Sequence, residues 1–290
     1  MLLRKLWRTM GIYKAQFISM IIMIALGIGI FIGFNIEWYS LEKNSDSFLR
    51  ETNFADYRIV SESGFSADDV QNVLSVDGVK ASSRFISVNA DVKERDGDSV
   101  ALTVTENPDV SSFITVNGDG YDRDSTDGIW VSKKYADANG IAVGDTLTFG
   151  AVQGVSEPLE FKVAGLIKSG EYMVCVQDST QLMPDYKMFG YAYITPAAYK
   201  KICESAGLPS PLYAQINVRV NNFDDFTKQK FSDAVNAALG KTMFILSKEE
   251  SSSYALAHGE VEEGQTMGAV LPVLFLAIAV LTMITTMHRI

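Results

Sequence analysis

FISMIIMIALGIGIFIGFNI, residues Phe17–Ile36, contains no charged side chain, and a second such run, MGAVLPVLFLAIAVLTMITTM, fills Met267–Met287. Each has roughly the 20 residues that an α-helix needs to cross a hydrocarbon core about 30 Å thick. Everything between them is polar and acidic. The pattern predicts transmembrane helices over 15–36 and 267–287 with one large insert, 37–266, held between them.

Charge orients the arrangement. Arg4, Lys5, Arg8 and Lys14 precede the first run, and His288 and Arg289 follow the second. Positive residues beside both outer flanks place the two ends in the cytoplasm and the insert outside, a multi-pass topology in the cell membrane. Five of the 25 Lys/Arg lie in those flanks; the other 20, with all 35 Asp/Glu, lie in 37–263, which therefore carries a formal charge of −15. Nucleic acid is excluded as a partner, because phosphate binding needs a basic face. The first run is longer than a signal-peptide core and ends in Asn35-Ile36-Glu37-Trp38 rather than a small-x-small site, so it reads as an uncleaved anchor. Ahead of it, Leu2, Leu3, Leu6, Trp7 and Met10 share one helical face. Residues 1–14 thus suit an amphipathic helix in the cytoplasmic headgroup layer, with plain positive flanking as the alternative. Residues 288–290 begin a cytoplasmic segment.

The insert alternates strand-like and helix-like stretches. Glu37–Glu51 continues the first helix outward as a stalk. Strands are expected at Tyr57–Val60, Ser87–Glu94 and Ser99–Thr105, the last two joined through the tight-turn pair Asp96-Gly97. Ser66 caps a helix whose Asp68 and Asp69 suit its N-terminus. Asn107–Gly128 reads as loop. Ile129–Val131 reads as a strand, followed by a short helix capped by Ser132 and ended at Asn139-Gly140. Further strands are expected at Thr146–Phe149, Leu159–Ile167, Ala214–Val220 and Thr242–Leu246. Helices are expected from Thr195-Pro196 to Gly207 and over Phe223–Leu239. Ser247 caps a second polar stalk, Ser247–Gln265, that feeds the second span. The fold class is α+β: a mixed sheet with helices, in two subdomains, held between two transmembrane helices with helical stalks.

Chemistry-bearing patterns are sparse. Of the two histidines, His288 sits at the membrane end and His258 stands alone in a helix, so neither suggests a zinc site. No Ser-His-Asp or Cys-His arrangement is favoured. The loop from Asp119 to Gly128 invites calcium, but started at Asp122 the EF-hand pattern puts Asp127 where Gly is required and Lys133 where Glu belongs. Cys175 and Cys203 lie outside, where a disulfide is permitted and buried free thiols are equally compatible. No catalytic, cofactor or metal residue is assigned. Pro272 falls in the first membrane turns of its span, where the lost hydrogen bond is easily repaired. Neither span holds an ionisable residue, so no ion path is marked. Gly29 and Gly33 form a small-xxx-small face suited to a packing helix, either the second span or another.

Two passages carry a family resemblance. Gly128-Ile129-Trp130-Val131-Ser132-Lys133-Lys134-Tyr135-Ala136, then Gly140-Ile141-Ala142-Val143-Gly144-Asp145-Thr146-Leu147, closely resembles a passage of FtsX-like ABC transporter permeases of the MacB type, with Phe161–Ile167 as the strand that follows. Leu74-Ser75-Val76-Asp77-Gly78-Val79 looks like the family's helix-to-strand turn. Val273–Arg289, ending in Thr285-Thr286-Met287-His288-Arg289, is similar to the second membrane helix of Gram-positive members. The resemblance implies a permease subunit, not itself an enzyme, that couples ATP turnover on a separate cytoplasmic ATPase to movement of an extracytoplasmic domain. Export or extraction of a peptide, lipid or lipoprotein, or control of an outside partner, would be its task. It further implies a second permease copy or homologue, an inserted subdomain near 108–212, and a chain that continues into more spans. The alternative is a two-span receptor or scaffold whose ectodomain senses a ligand or regulates a cell-wall enzyme; an ectoenzyme is third.

Overall fold

The computed structural model describes Arg8, residues 11–150, 152, 155, 157–177, 181, 183–208 and 211–287. The amphipathic helix expected over 1–14 falls largely outside the described residues, as do 288–290. The chain divides into two compact units, Met1–Asp46 with Ala257–Ile290, and Ser47–Leu256.

The first unit is made of two long helices, α1 (Lys14–Glu51) and the helix over Ser252–Met287. Both are long and apolar enough to cross a membrane. Their large side chains, among them Ile21, Leu26, Ile32, Val273, Leu276 and Leu281, face outward, as lipid-facing residues do. The two helices approach through glycines. A Cβ on Gly264 would stand 2.9 Å from Trp38 Cβ, one on Gly268 3.4 Å from Phe34 Cβ, and one on Gly27 3.3 Å from Phe275 Cβ. Gly264 and Gly268 are four apart, as are Phe34 and Trp38, so two ring-bearing ridges seat on a small-xxx-small groove. Among the described residues, a Cβ added at Gly29 or Gly33 would meet nothing within 4 Å. Pro272 lines an apolar cleft of about 320 Å³ with Met23, Gly27, Phe31 and Phe275.

The second unit is a mixed sheet of β1 (Tyr57–Val60), β2 (Val79–Asp91), β3 (Ser99–Thr105), β4 (Phe113–Gly118), β5 (Gly128–Ser132), β6 (Thr146–Phe149), β7 (Leu159–Ser169), β8 (Phe189–Ile194), β9 (Gln215–Val220) and β10 (Phe244–Ser247). Its order is β10-β1-β9-β2-β3-β8-β5-β7-β4, with β6 also on β7. The β3/β8 and β5/β7 pairs are parallel and the remainder antiparallel. Helices α2 (Ala67–Leu74), α3 (Lys133–Asn139), α4 (Pro196–Ser205) and α5 (Lys228–Leu239) cover it, and the long helix from Ser252 is α6.

β2 is the shared strand. Val79–Phe85 pair with β9, and Phe85–Asp91 pair with β3, so the two ladders overlap at Phe85, extended by one bond from Glu106 N–H to Arg84 O. One half of the sheet, β10-β1-β9 with the start of β2, is linked in sequence to both long helices. Its apolar face (Tyr57, Ile59, Ile216, Val218, Ile245) packs on Val73 of α2 and Phe231 and Val235 of α5. Tyr57 and Phe231 stack at 4.0 Å.

The other half curls until it meets itself. Val92 bridges Phe149, Lys93 N–H donates to Thr148 O, and Gly150 N–H donates to Asp91 O at 2.8 Å. These bonds close a ring β2-β3-β8-β5-β7-β6. Its apolar face holds Val100, Leu102, Ile129, Val131, Phe161, Val163 and Ala192, with Tyr135 of α3 and Ala198 of α4. The opposite face is aromatic: Trp130, Phe189, Tyr191 and Tyr193 with Ile167 and Cys175.

Several expectations change. The loop over Asn107–Gly128 contains β4, which pairs antiparallel with β7 with one irregularity at Val116. The strand expected at Ser87–Glu94 begins at Val79, because its first half belongs to the β9 ladder. β8, at the centre of the ring, has no counterpart in the expected strands; all six of its residues are buried, which erases alternation. The helix expected from Phe223 starts at Lys228, because Thr227 accepts from Lys230 N–H while Phe223–Phe226 forms a turn. Ser132 makes no capping bond. Ser247 caps a single 3-10 turn (Lys248–Glu250), and α6 begins at Ser252.

Candidate functional site

The residues with the most interlocked chemistry lie where the last turn of α1 and the first turn of α6 meet the sheet within the second unit. α1 ends without a glycine. Asn53 takes the left-handed conformation instead, with φ 52°, which Asn tolerates because its amide can bond locally. Here Asn53 Nδ2 donates to Pro108 O at 2.9 Å and Oδ1 accepts from Arg219. The last carbonyls of α1 accept from its own turn (Thr52, Phe54 and Asn53 N–H to Phe48, Leu49 and Arg50 O), and the next two, Thr52 O and Asn53 O, accept from Ser112 and Ser111 N–H of the loop after β3.

Against this end lies the 3-10 turn Gly170–Tyr172, which leaves β7. A Cβ on Gly170 would stand 2.5 Å from Thr52 Oγ1 and 3.2 Å from Leu49, so only glycine fits there. The next residue, Glu171, is the hub. Its Oε2 accepts from Arg58 Nη2 at 2.6 Å, and the two side chains are 7% and 10% exposed. Oε1 accepts from Ala55 N–H at 3.2 Å and Ser111 Oγ at 2.8 Å. Its carbonyl accepts from Ser253 Oγ of α6 at 3.0 Å, and Ser253 Oγ accepts from Val174 N–H. Arg58 Nη1 is buried without a partner among the described residues.

An alternation of rings and cations extends the hub. The Arg58 guanidinium lies over Phe54 at 4.7 Å, Phe54 stacks on Tyr254 of α6, and Lys248 lies over Tyr254 and, at 3.9 Å, over Phe223. Each such contact contributes on the order of 0.5–1 kcal/mol at exposed sites and more when dry. Lys248 also pairs with Asp56, whose other oxygen accepts from Val220 N–H. Outside it, Glu250 takes Lys228 at 2.6 Å, and that hydrogen bond holds the Glu250 carboxyl below its ordinary range.

Behind the hub, the Tyr172 hydroxyl bridges Ser87 and Thr103 at 2.7 Å each, and its ring stacks on Tyr191 at 4.4 Å. Burial pushes Tyr172 up to about 12 and raises Tyr191 and Tyr193 further. Ser111 joins both sides: its hydroxyl accepts from Asn217 of β9, and its carbonyl accepts from Tyr193 of β8.

Among the described residues, the charges and hydroxyls of the hub bond one another, apart from Arg58 Nη1. Cys175 and Cys203 are both buried and unbonded, and burial pushes the Cys175 thiol up to about 12, leaving it protonated at neutral pH. In the Asp119–Gly128 loop, Asp122 and Ser125 accept from the loop's own amides. Arg58 and Glu171 are not singled out by the sequence reading. A lone Arg inside Tyr57–Val60 was the available signal, since a charge within a buried strand requires a partner.

No protein-family model and no curated protein matches the chain. Among solved structures it is similar to the extracellular domain of the noncanonic ABC-type transporter YknZ from Gram-positive bacteria (TM-score 0.44, 12% identity, 67% of this chain and 98% of that one). It is also similar to the periplasmic region of MacB from Actinobacillus actinomycetemcomitans (0.42, 12%, 74% and 95%) and to a permease domain from Porphyromonas gingivalis (0.39, 11%, 68% and 87%). Scores of this size do not by themselves carry an assignment.

Proposed function

We propose that this chain is part of an ABC transporter permease subunit whose two long helices cross the membrane and hand movement to the sheet domain outside it. One observation carries the reading: Ala55, four residues past the end of α1, and Ser253, in the first turn of α6, are both hydrogen-bonded to Glu171 of the turn Gly170–Tyr172, and Gly170 packs against Leu49 of α1. Two independent anchors would not need a shared hub; two transmitting levers do. The passages resembling FtsX-like permeases support it from the sequence side. They form β5, α3, the turn at Gly144-Asp145, where Asp145 accepts from Ala142 N–H, then β6 and β7.

ATP would bind and be hydrolysed on a separate cytoplasmic ATPase. A second permease copy or another span would pack on the open Gly29/Gly33 face, and the sheet domain would act on a peptide, lipid or protein outside. The direct test is purification from the native membrane in mild detergent, with mass spectrometry for an ABC ATPase. Near-stoichiometric recovery is expected; its absence under conditions that keep other permease–ATPase complexes together would overturn the reading.

A further inference from the structure

The two halves of the sheet share only a short stretch of β2: Phe85 belongs to both ladders, and Arg84, paired with β9, also accepts from Glu106 N–H. A join this narrow resists bending far less than a wide ladder does, so other ties help to set the angle between the halves. Arg84–Glu106, bidentate at 2.6 and 2.7 Å, is one, but it sits next to the join and has little leverage. Glu171 acts at a distance. It belongs to the ring half, leaving β7, and it grips Arg58 on β1, which is two strands beyond β2, about 10 Å at ordinary strand spacing. The same residue holds Ala55, between α1 and β1, and Ser253 at the start of α6.

We propose that the Gly170–Tyr172 turn is a latch that fixes the ring half against the helix-linked half, and that displacement of the first turn of α6 loosens it and lets the halves rock about Phe85. The hypothesis rests on the reading that the helices move. Two features suit a latch rather than a permanent rivet. The ion pair leaves Arg58 Nη1 without a partner among the described residues, which lowers the cost of letting go. The link to α6 runs through one serine hydroxyl that both donates and accepts, so a small shift of that turn breaks two bonds together.

Amide hydrogen exchange on the full chain in nanodiscs tests this without ATP or a partner, so the result is independent of whether an ATPase is found. The reporters are Ala55 and Val174, whose N–H groups are donated to Glu171 and Ser253. In the paired variant Arg58→Met/Glu171→Leu, exchange at 170–176 and at Ala55 is expected to rise about tenfold or more while the β2/β3 and β1/β9 ladders hold, as a local opening requires. Ser253→Ala, a milder change that keeps the ion pair, is expected to raise Val174 about threefold and is decisive should the paired variant not fold. Unchanged exchange in these segments, or an equal rise through both halves of the sheet, would overturn the latch.

Discussion

The two halves of the sheet are held together by different physics. The helix-linked half is a layered structure: apolar residues of β1, β9 and β10 face α2 and α5, and polar residues such as Arg58 and Asn217 occupy the other face. The ring half closes on itself, with aliphatic side chains on one face and stacked Trp and Tyr on the other. One half can yield by sliding helices over a sheet; the other is packed on both faces and moves as a block. The difference teaches where movement between them must be decided. It falls at the narrow join, on Phe85 and Glu171, rather than inside either half.

The largest effect should follow from breaking the buried pair. Glu171→Ala leaves Arg58 charged and dry, a change that typically costs about 3–5 kcal/mol, whereas Arg58→Met/Glu171→Leu should cost much less. Urea melts of the two variants check this; equal losses would mean the pair has no special role at the join.

Overpacking separates the halves next. Gly190 of β8 lies where a Cβ would stand 2.5 Å from the Tyr135 ring, so Gly190→Ala should cost about 1–3 kcal/mol. The hinge reading adds that exchange should rise in the ring half and not in β1, β9 and β10. A loss spread over both would show a single rigid body.

Alkaline pH probes the aromatic face. Tyr172 is raised from its ordinary 10 to about 12 in the folded chain by burial, so the neutral phenol is favoured in the fold. That contribution is complete below pH 10 and is lost as pH rises toward 12. Phenolate absorbance from the buried tyrosines should therefore appear together with unfolding of the ring half, and a smooth titration at pH 10 with the fold intact would contradict the packing described.

The smallest effect belongs to Glu250, whose folded carboxyl is lowered by Lys228. Its contribution is present above the unfolded value near 4.3 and fades as pH falls through the folded one. Because the pair is about half exposed, Glu250→Gln should cost under about 1 kcal/mol, and less at high salt. Thermal melts at pH 7 and pH 3 should differ in the parent protein more than in the variant.

Legibility in the sequence followed the same division. Tyr57–Val60, Thr146–Phe149 and the Ser66 and Thr195 caps stand where patterning puts them, because β-prone residue runs and side-chain caps are local signals. β8 was not legible: all six residues of Phe189–Ile194 are buried, so no alternation marks the strand. The hub was hidden for another reason. Arg58 and Glu171 are 113 residues apart, and nothing local announces a partner at that distance. The glycines showed the opposite problem: Gly29/Gly33 and Gly264/Gly268 have the same spacing, and only the second pair has large rings, Phe34 and Trp38, facing it.

The central claim is that movement of the membrane helices reaches the sheet domain through Glu171. Hydrogen exchange of the chain in its proposed complex with an ATPase, compared without nucleotide and with ATP trapped by vanadate, tests it most directly. The account predicts that exchange at Ala55, 170–176 and the first turn of α6 changes together on trapping, while the β2/β3 ladder stays as it was. Identical exchange in the two states at those residues, in a complex shown to hydrolyse ATP, would contradict it.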